Sequence, residues 1–153
     1  MIQIKRLLTP TDFSDFSKQA LHYAVEFARS FRAELHLVNV VEPYAYPADM
    51  FGQVGMVDVE NALEKAAHEE IANWQKNNIP EGITSVAAVL HGRPFSEIIR
   101  YAQEHQIDLL IMGTHGHSGI DHFLLGSTAE KVIRKAPCPV LTVRAQEREI
   151  VVP

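Results

Sequence analysis

Five short apolar runs alternate with longer amphipathic ones, and this alternation restricts the fold more than any other feature of the chain. The runs are "IKRLLTP" (residues 4–10), "AELHLVNVV" (33–41), "ITSVAAVLHG" (83–92), "IDLLIMG" (107–113) and "PVLTVR" (139–144). Each has the length of a strand, and several carry valine or leucine on both faces, as strands covered on both sides do. Between them lie stripes at helical spacing. Ala20, Leu21, Ala24, Val25 and Ala28 form the first. Ala62, Leu63, Ala66, Ala67 and Ile71 form the second, running on to Trp74. Ile98, Ile99 and Ala102 follow Pro94, which suits a first helical turn. Val132 and Ile133 belong to a fourth helix that stops before Pro137. All four stripes read as core packing, and Trp74 reads as a packing residue rather than a ligand platform. Strand–helix alternation implies an α/β fold with a parallel sheet, helices on both faces and right-handed crossovers. Ligands of such folds bind outside the carboxyl ends of the strands, where strand order reverses. The segments that directly follow strands therefore deserve the closest reading.

Length and composition narrow the classes. The chain has 153 residues, which implies a single domain, residues 1–153, with a real core. No run approaches the ~18–20 apolar residues of a membrane span. The start, "MIQIKRLLTPTD", lacks a signal-peptide apolar region, which argues against export. Cys138 is the one cysteine, set in "APCPVLTV" and read as a small buried hydrophobe. These features lead to a cytoplasmic expectation. The net charge of −5 and pI near 5.9 argue against a broad nucleic-acid surface. Most of the eight histidines read as solvated.

Three post-strand segments carry chemistry. In "TPTDFSD" (residues 9–15), Pro10 directs the chain and Ser14 or Asp15 can cap the next helix. Asp12 serves either a turn or a ligand and its metal. Residues 42–58, "EPYAYPADMFGQVGMVD", exceed the ~2–6 residues of an ordinary βα loop. The segment carries Tyr44, Tyr46, Met50, Phe51, Val54 and Met56. A ligand lid, a subunit contact and a short helix on the chain's own core are all open readings.

The third segment is "GTHGHSGIDHFLLGST", residues 113–128. Gly113 and Gly116 permit close backbone approach. Ser127 with Glu130 reads as a capping box, so a helix begins at Ser127 or Thr128. Its N-terminus offers N–H groups and a positive dipole end to phosphate. No lysine follows Gly126, so this is not a P-loop, and His115 breaks the G-x-G-x-x-G pattern. His115, His117 and His122 fit no closed zinc set and read as solvated or phosphate-proximal.

These residues resemble the universal stress protein family, whose nucleotide-binding members carry G-x2-G-x9-G-[S/T]. Gly113, Gly116, Gly126 and Ser127 match that spacing without change. "DLLIMGTHGHSG", "LLGSTAEKVIRKAPCPVLTVR", "PTDFS" and "GRPFSEII" resemble the family as well, so the resemblance covers essentially the whole chain. It implies a Rossmann-like, adenine nucleotide alpha hydrolase-like fold: five parallel strands in order 3-2-1-4-5. It implies a homodimer and ATP between strands one and four. By position, Pro10, Thr11 and Asp12 would lie beside adenine or ribose, Val40 would contact adenine, and Gly113 would sit by the ribose. Gly116, Gly126, Ser127 and Thr128 would hold phosphates, bridged by a divalent cation, Mg2+. Residues 139–144 would form an edge strand, and the family's dimer pairs that strand antiparallel with its mate.

The functional expectation is an ATP-binding, dimeric stress-response module whose nucleotide state modulates a surface for an unidentified regulatory partner. No nucleic acid and no membrane insertion are expected. No general base or nucleophile stands out, because the resemblance turns Asp12 towards adenine and ribose. A slow ATP hydrolase or phosphotransferase using His115 or His117 is one alternative. "TPTDFSD" lacks the S-G-G-x-D-S loop of ATP pyrophosphatases of similar fold, which weighs against it. A nucleotide-free dimer scaffold is the other alternative, and AMP or cyclic AMP could replace ATP.

Overall fold

The computed structural model describes residues 1–43, 52–115 and 125–144. Among these, the alternation resolves into β1 (Arg6–Pro10), α1 (Asp15–Phe31), β2 (Glu34–Val41), α2 (Gly52–Asn78), β3 (Ser85–His91), α3 (Pro94–Glu104), β4 (Leu109–Gly113), α4 (Ser127–Lys135) and β5 (Val140–Val143). The strands form one sheet in the order β3-β2-β1-β4-β5. Every pairing is parallel, with Leu7 beside Leu35 and Leu109, and Leu110 beside Val140. The chain moves outward from β1 to β3 and then returns to the other side of β1. The order therefore reverses between β1 and β4, as expected for a ligand-binding crevice. β3 and β5 are the two edges.

Period-two alternation sorts the apolar runs onto two faces. Leu7, Leu35, Leu37 and Ile111 pack under α1 with Ala20, Leu21, Ala24, Val25 and Ala28, and Ile71 of α2 joins them. Leu8, Val38, Leu110 and Met112 pack on the opposite side against Ile98, Tyr101 and Ala102 of α3 and Ala129 and Val132 of α4. Both faces are covered, which explains the near-continuous apolar strands. Helix ends follow local chemistry. Ser14 caps α1 by accepting from the Ser17 amide, and Arg32 closes that helix in the left-handed region at φ 54°. Pro94 opens α3, and α4 ends at Lys135, two residues before Pro137.

The structure corrects several expectations. Residues 52–58 belong to α2, so the connection after β2 is shorter than the sequence suggested; the Tyr44–Phe51 part lies outside the described residues. The second stripe is not uniformly core. Ala62, Leu63 and Ala66 are exposed, Ala67 is half-buried, and only Ile71 is buried. The reason is length. A 27-residue helix runs about 40 Å, whereas the seven residues of β3 span about 23 Å. The N-terminal half of α2 overhangs the sheet. Ile133 of α4 is likewise exposed.

His36 departs from the solvated reading of the histidines: it is 4% exposed, on the α3 side of β2. Its Nε2–H donates to Glu34 Oε1 at 2.7 Å, and its Nδ1 accepts from the Tyr101 hydroxyl at 2.8 Å. Tyr101 in turn stacks on His105. Burial is the main force on His36 and pushes its pKa down; Glu34 opposes this, while His105 and Arg6 reinforce it. Cys138 is half-buried against the α3–α4 core, and burial raises its thiol pKa.

Candidate functional site

A cleft of about 230 Å3 opens at the carboxyl ends of β1, β2 and β4. That is far more room than a water or an ion requires. Pro10, Thr11, Asp12, Val40, Gly113, Gly126, Ser127 and Thr128 all line it. Eight positions read from three separate stretches of sequence therefore converge on one place. Gly116 lies outside the described residues, as do His117 and His122.

The β1 end is built by a tight turn. Thr11 is buried, and its amide donates to the Val38 carbonyl at 2.8 Å. Its Oγ1 lies 2.8 Å from Ser17 Oγ and accepts from the Phe13 amide at 2.9 Å. Asp12 Oδ1 accepts from the Ser14 amide at 3.0 Å and from the Ser14 hydroxyl. The turn reading of Asp12 holds, and the same residue lines the cleft. Phe13 pays for the geometry with φ 63°, a left-handed conformation that costs a bulky residue roughly 1–3 kcal/mol.

The opposite end is the start of α4. The predicted capping box does not form. Gly126 is the N-cap, with φ −58° and ψ 150°, and Ser127 is the first helical residue. Glu130 does not reach back; its carboxylate pairs with Arg134 at 3.0 Å, one turn further on. The first helical bond runs from the Glu130 amide to the Gly126 carbonyl at 3.0 Å. The amides of Ser127, Thr128 and Ala129 precede it, and among the described residues none has a hydrogen-bond partner. All three residues line the cleft. No lysine or arginine does so among the described residues.

The two described glycines of the motif serve packing that creates this site. A Cβ on Gly126 would come within 3.1 Å of the Thr114 carbonyl oxygen, which already accepts the Gly126 amide at 2.8 Å. A Cβ on Gly113 would sit 3.3 Å from the Phe16 carbonyl oxygen in the first turn of α1. Side chains there would push α4 or α1 away from the end of β4.

Several lining residues were not legible in the sequence. Asn39 is buried near the end of β2, and its Nδ2 donates to the Thr11 carbonyl at 2.8 Å, tying β2 to the β1 turn. Ile98 and Met112 supply an apolar wall. Thr114 Oγ1 lies 2.9 Å from His115 Nδ1, and His115 also lines the cleft. The sequence already reads His115 as solvated or phosphate-proximal; strand pairing and crossover reveal the others, although the position of Asn39 at a strand's carboxyl end was a usable signal. Among the described residues, no three His, Cys, Asp or Glu side chains gather as a metal site.

The universal stress protein family model matches residues 3–144. The chain belongs to that family. The universal stress protein MJ0531 of Methanocaldococcus jannaschii is 33% identical over 148 residues, covering 95% of this chain and 85% of that protein. The solved structure of MJ0577, a universal stress protein from the same organism, superposes with a TM-score of 0.81 at 29% identity, covering 95% and 99% of the two chains. A universal stress protein solved in complex with cAMP superposes with a TM-score of 0.65 at 28% identity, covering 94% and 99%. No described helix is long and apolar enough to cross a membrane.

Proposed function

We propose that this universal stress protein is an adenine-nucleotide-binding regulatory module that holds ATP in the β1–β4 cleft. The observation that carries the reading is the start of α4. Three backbone amides without a hydrogen-bond partner among the described residues, and the positive end of the helix, face a cleft that also holds an apolar wall of Ile98 and Met112. That arrangement suits a phosphate chain at one end and a base at the other. A family member solved with cAMP supports an adenine ligand. Ser127, Thr128 and Gly126 take the phosphates in this reading, with Gly116 beside them. Thr11, Asp12, Pro10, Val40 and Gly113 take base and ribose. Mg2+ would be held through the phosphates and supply charge neutralisation there, and so would need no cluster of protein carboxylates.

The same reading makes the protein a homodimer through β5, with nucleotide state altering the surface offered to a regulatory partner. β5 is an edge strand. Pro139 and Val143 turn their carbonyls to the amides of Leu110 in β4 and of Thr114 just beyond it, so alternation turns the backbone groups of Val140 and Thr142 outward. Those groups suit antiparallel pairing with a second copy.

The test is calorimetric titration of nucleotide-free protein with ATP and Mg2+, together with a search for a 260 nm absorbing ligand released on denaturation. Saturable binding or a released adenylate is the expected result. Neither would leave the nucleotide-free scaffold. Slow hydrolysis is a second reading, favoured by His115 in the cleft. His115→Ala should then abolish turnover and spare binding.

A further inference from the structure

Behind the β1 turn, outside the cleft, two aromatic side chains meet. Phe13 follows Asp12 directly, but it does not line the cleft. Its ring packs into the α1–α2 core. There it meets Trp74, in the second half of α2, edge to face, with centroids 5.4 Å apart and planes at 72°.

Three features make this contact more than filler. First, Phe13 holds φ 63°, a conformation that a bulky side chain keeps only when its surroundings impose it. The hydrogen bonds of the turn run from the amides of Phe13 and Ser14 and from the Ser14 hydroxyl. They close the turn around the Phe13 backbone but place no restraint on its ring. The ring's hold is tertiary, in the core that Trp74 borders. Second, consecutive residues of this turn serve opposite sides: Asp12 lines the cleft, and the Phe13 ring meets Trp74. Relaxation of Phe13 to negative φ rotates the intervening peptide and carries the carboxylate away from the cleft. Third, the Trp74 indole N–H is buried without a hydrogen-bond partner among the described residues, an unfavourable state that polar recognition does not account for. The indole is retained for its ring, and that ring rests on Phe13.

We propose that Trp74 is a positioning residue for the ligand cleft, acting through Phe13 to hold the Asp12 carboxylate in place. The proposal rests on the adenine-nucleotide reading above. It makes Trp74 sensitive to occupancy of a site it does not touch.

The experiment is a double-mutant cycle read by calorimetry with ATP and Mg2+. Trp74→Ala should weaken ATP about tenfold in the wild-type background and less than about twofold in an Asp12→Asn background, because contacting or linked residues couple whereas independent ones add. Trp74→Phe, which keeps an aromatic face for Phe13 and removes the orphan N–H, should bind within about twofold of wild type. Equal weakening in both backgrounds reduces Trp74 to a structural role and overturns the proposal. A second measurement stands if Trp74→Ala does not fold. Trp74 is the one tryptophan of the chain, so saturating ATP and Mg2+ should change the emission of the wild type and leave that of Asp12→Asn unchanged. Unchanged wild-type emission at calorimetric saturation overturns the proposal while the cleft reading survives. Wild-type protein that binds no adenine nucleotide overturns both.

Discussion

Ser127→Pro separates the backbone of α4 from its side chains. Ser127 is the first helical residue, a position where proline is favoured and where an amide has no helical partner to lose. The residue before a proline must be extended, and Gly126 already has φ −58° and ψ 150°. The substitution therefore leaves the helix intact. It removes one of three amides facing the cleft, and the hydroxyl with it. A hydrogen bond to a charged group contributes about 1.5–3 kcal/mol, so ATP should bind about ten- to a hundredfold more weakly. Ser127→Ala removes the hydroxyl alone and isolates its share. Adenosine, which has no phosphate, should bind Ser127→Pro and wild type alike. Calorimetry with ATP, AMP and adenosine measures all of this, and a thermal melt checks the fold. Equal losses for adenosine and ATP would refute the placement of phosphate at α4. A Ser127→Ala variant as weak as Ser127→Pro would assign the whole loss to the hydroxyl and refute the role of the Ser127 amide.

Three further outcomes follow from other parts of the molecule. Thr142→Pro removes an outward amide of β5 without touching a bond to β4, so it should shift sedimentation from dimer to monomer; a persistent dimer at micromolar concentration would refute pairing through this edge. Val143 is unsuitable for that test, because it is 8% exposed in the chain's own core. Arg32→Gly relieves the left-handed end of α1, at φ 54°; relief of ~1–2 kcal/mol against ~0.4–1 of added chain entropy predicts a net gain of about 0.8 kcal/mol in urea unfolding. Burial holds the His36 pKa below that of an unfolded histidine, so the unfolded chain binds the proton more readily. Stability should therefore fall as pH drops below about 6.5, towards the folded value. His36→Gln should flatten the thermal melts across that window, and an unchanged profile would exclude His36 as the cause.

How much was legible can be judged residue by residue. Strand and helix periods located all nine described elements, because periodicity is local and survives without a partner. The Ser14 cap was legible for the same reason. The α4 cap missed by one residue. Ser-x-x-Glu satisfies the capping pattern, but the Gly126 amide bonds to Thr114, and this β4 contact makes Gly126 the N-cap. α2 misled because its stripe repeats at helical spacing beyond the edge of the sheet, and period alone does not measure what a helix covers.

The cleft shows the same division. Its glycines, its Asp12 turn and its family were written in the sequence, as short motifs with fixed spacing. That these motifs face one another was decided by strand order, which places β1 beside β4 although more than ninety residues separate Leu7 from Leu109. Asn39 on the Thr11 carbonyl, the partnerless amides of α4 and the ring of Phe13 on Trp74 belong wholly to the tertiary structure. Such contacts join residues distant in sequence, and no local pattern records which distant surface a side chain will meet.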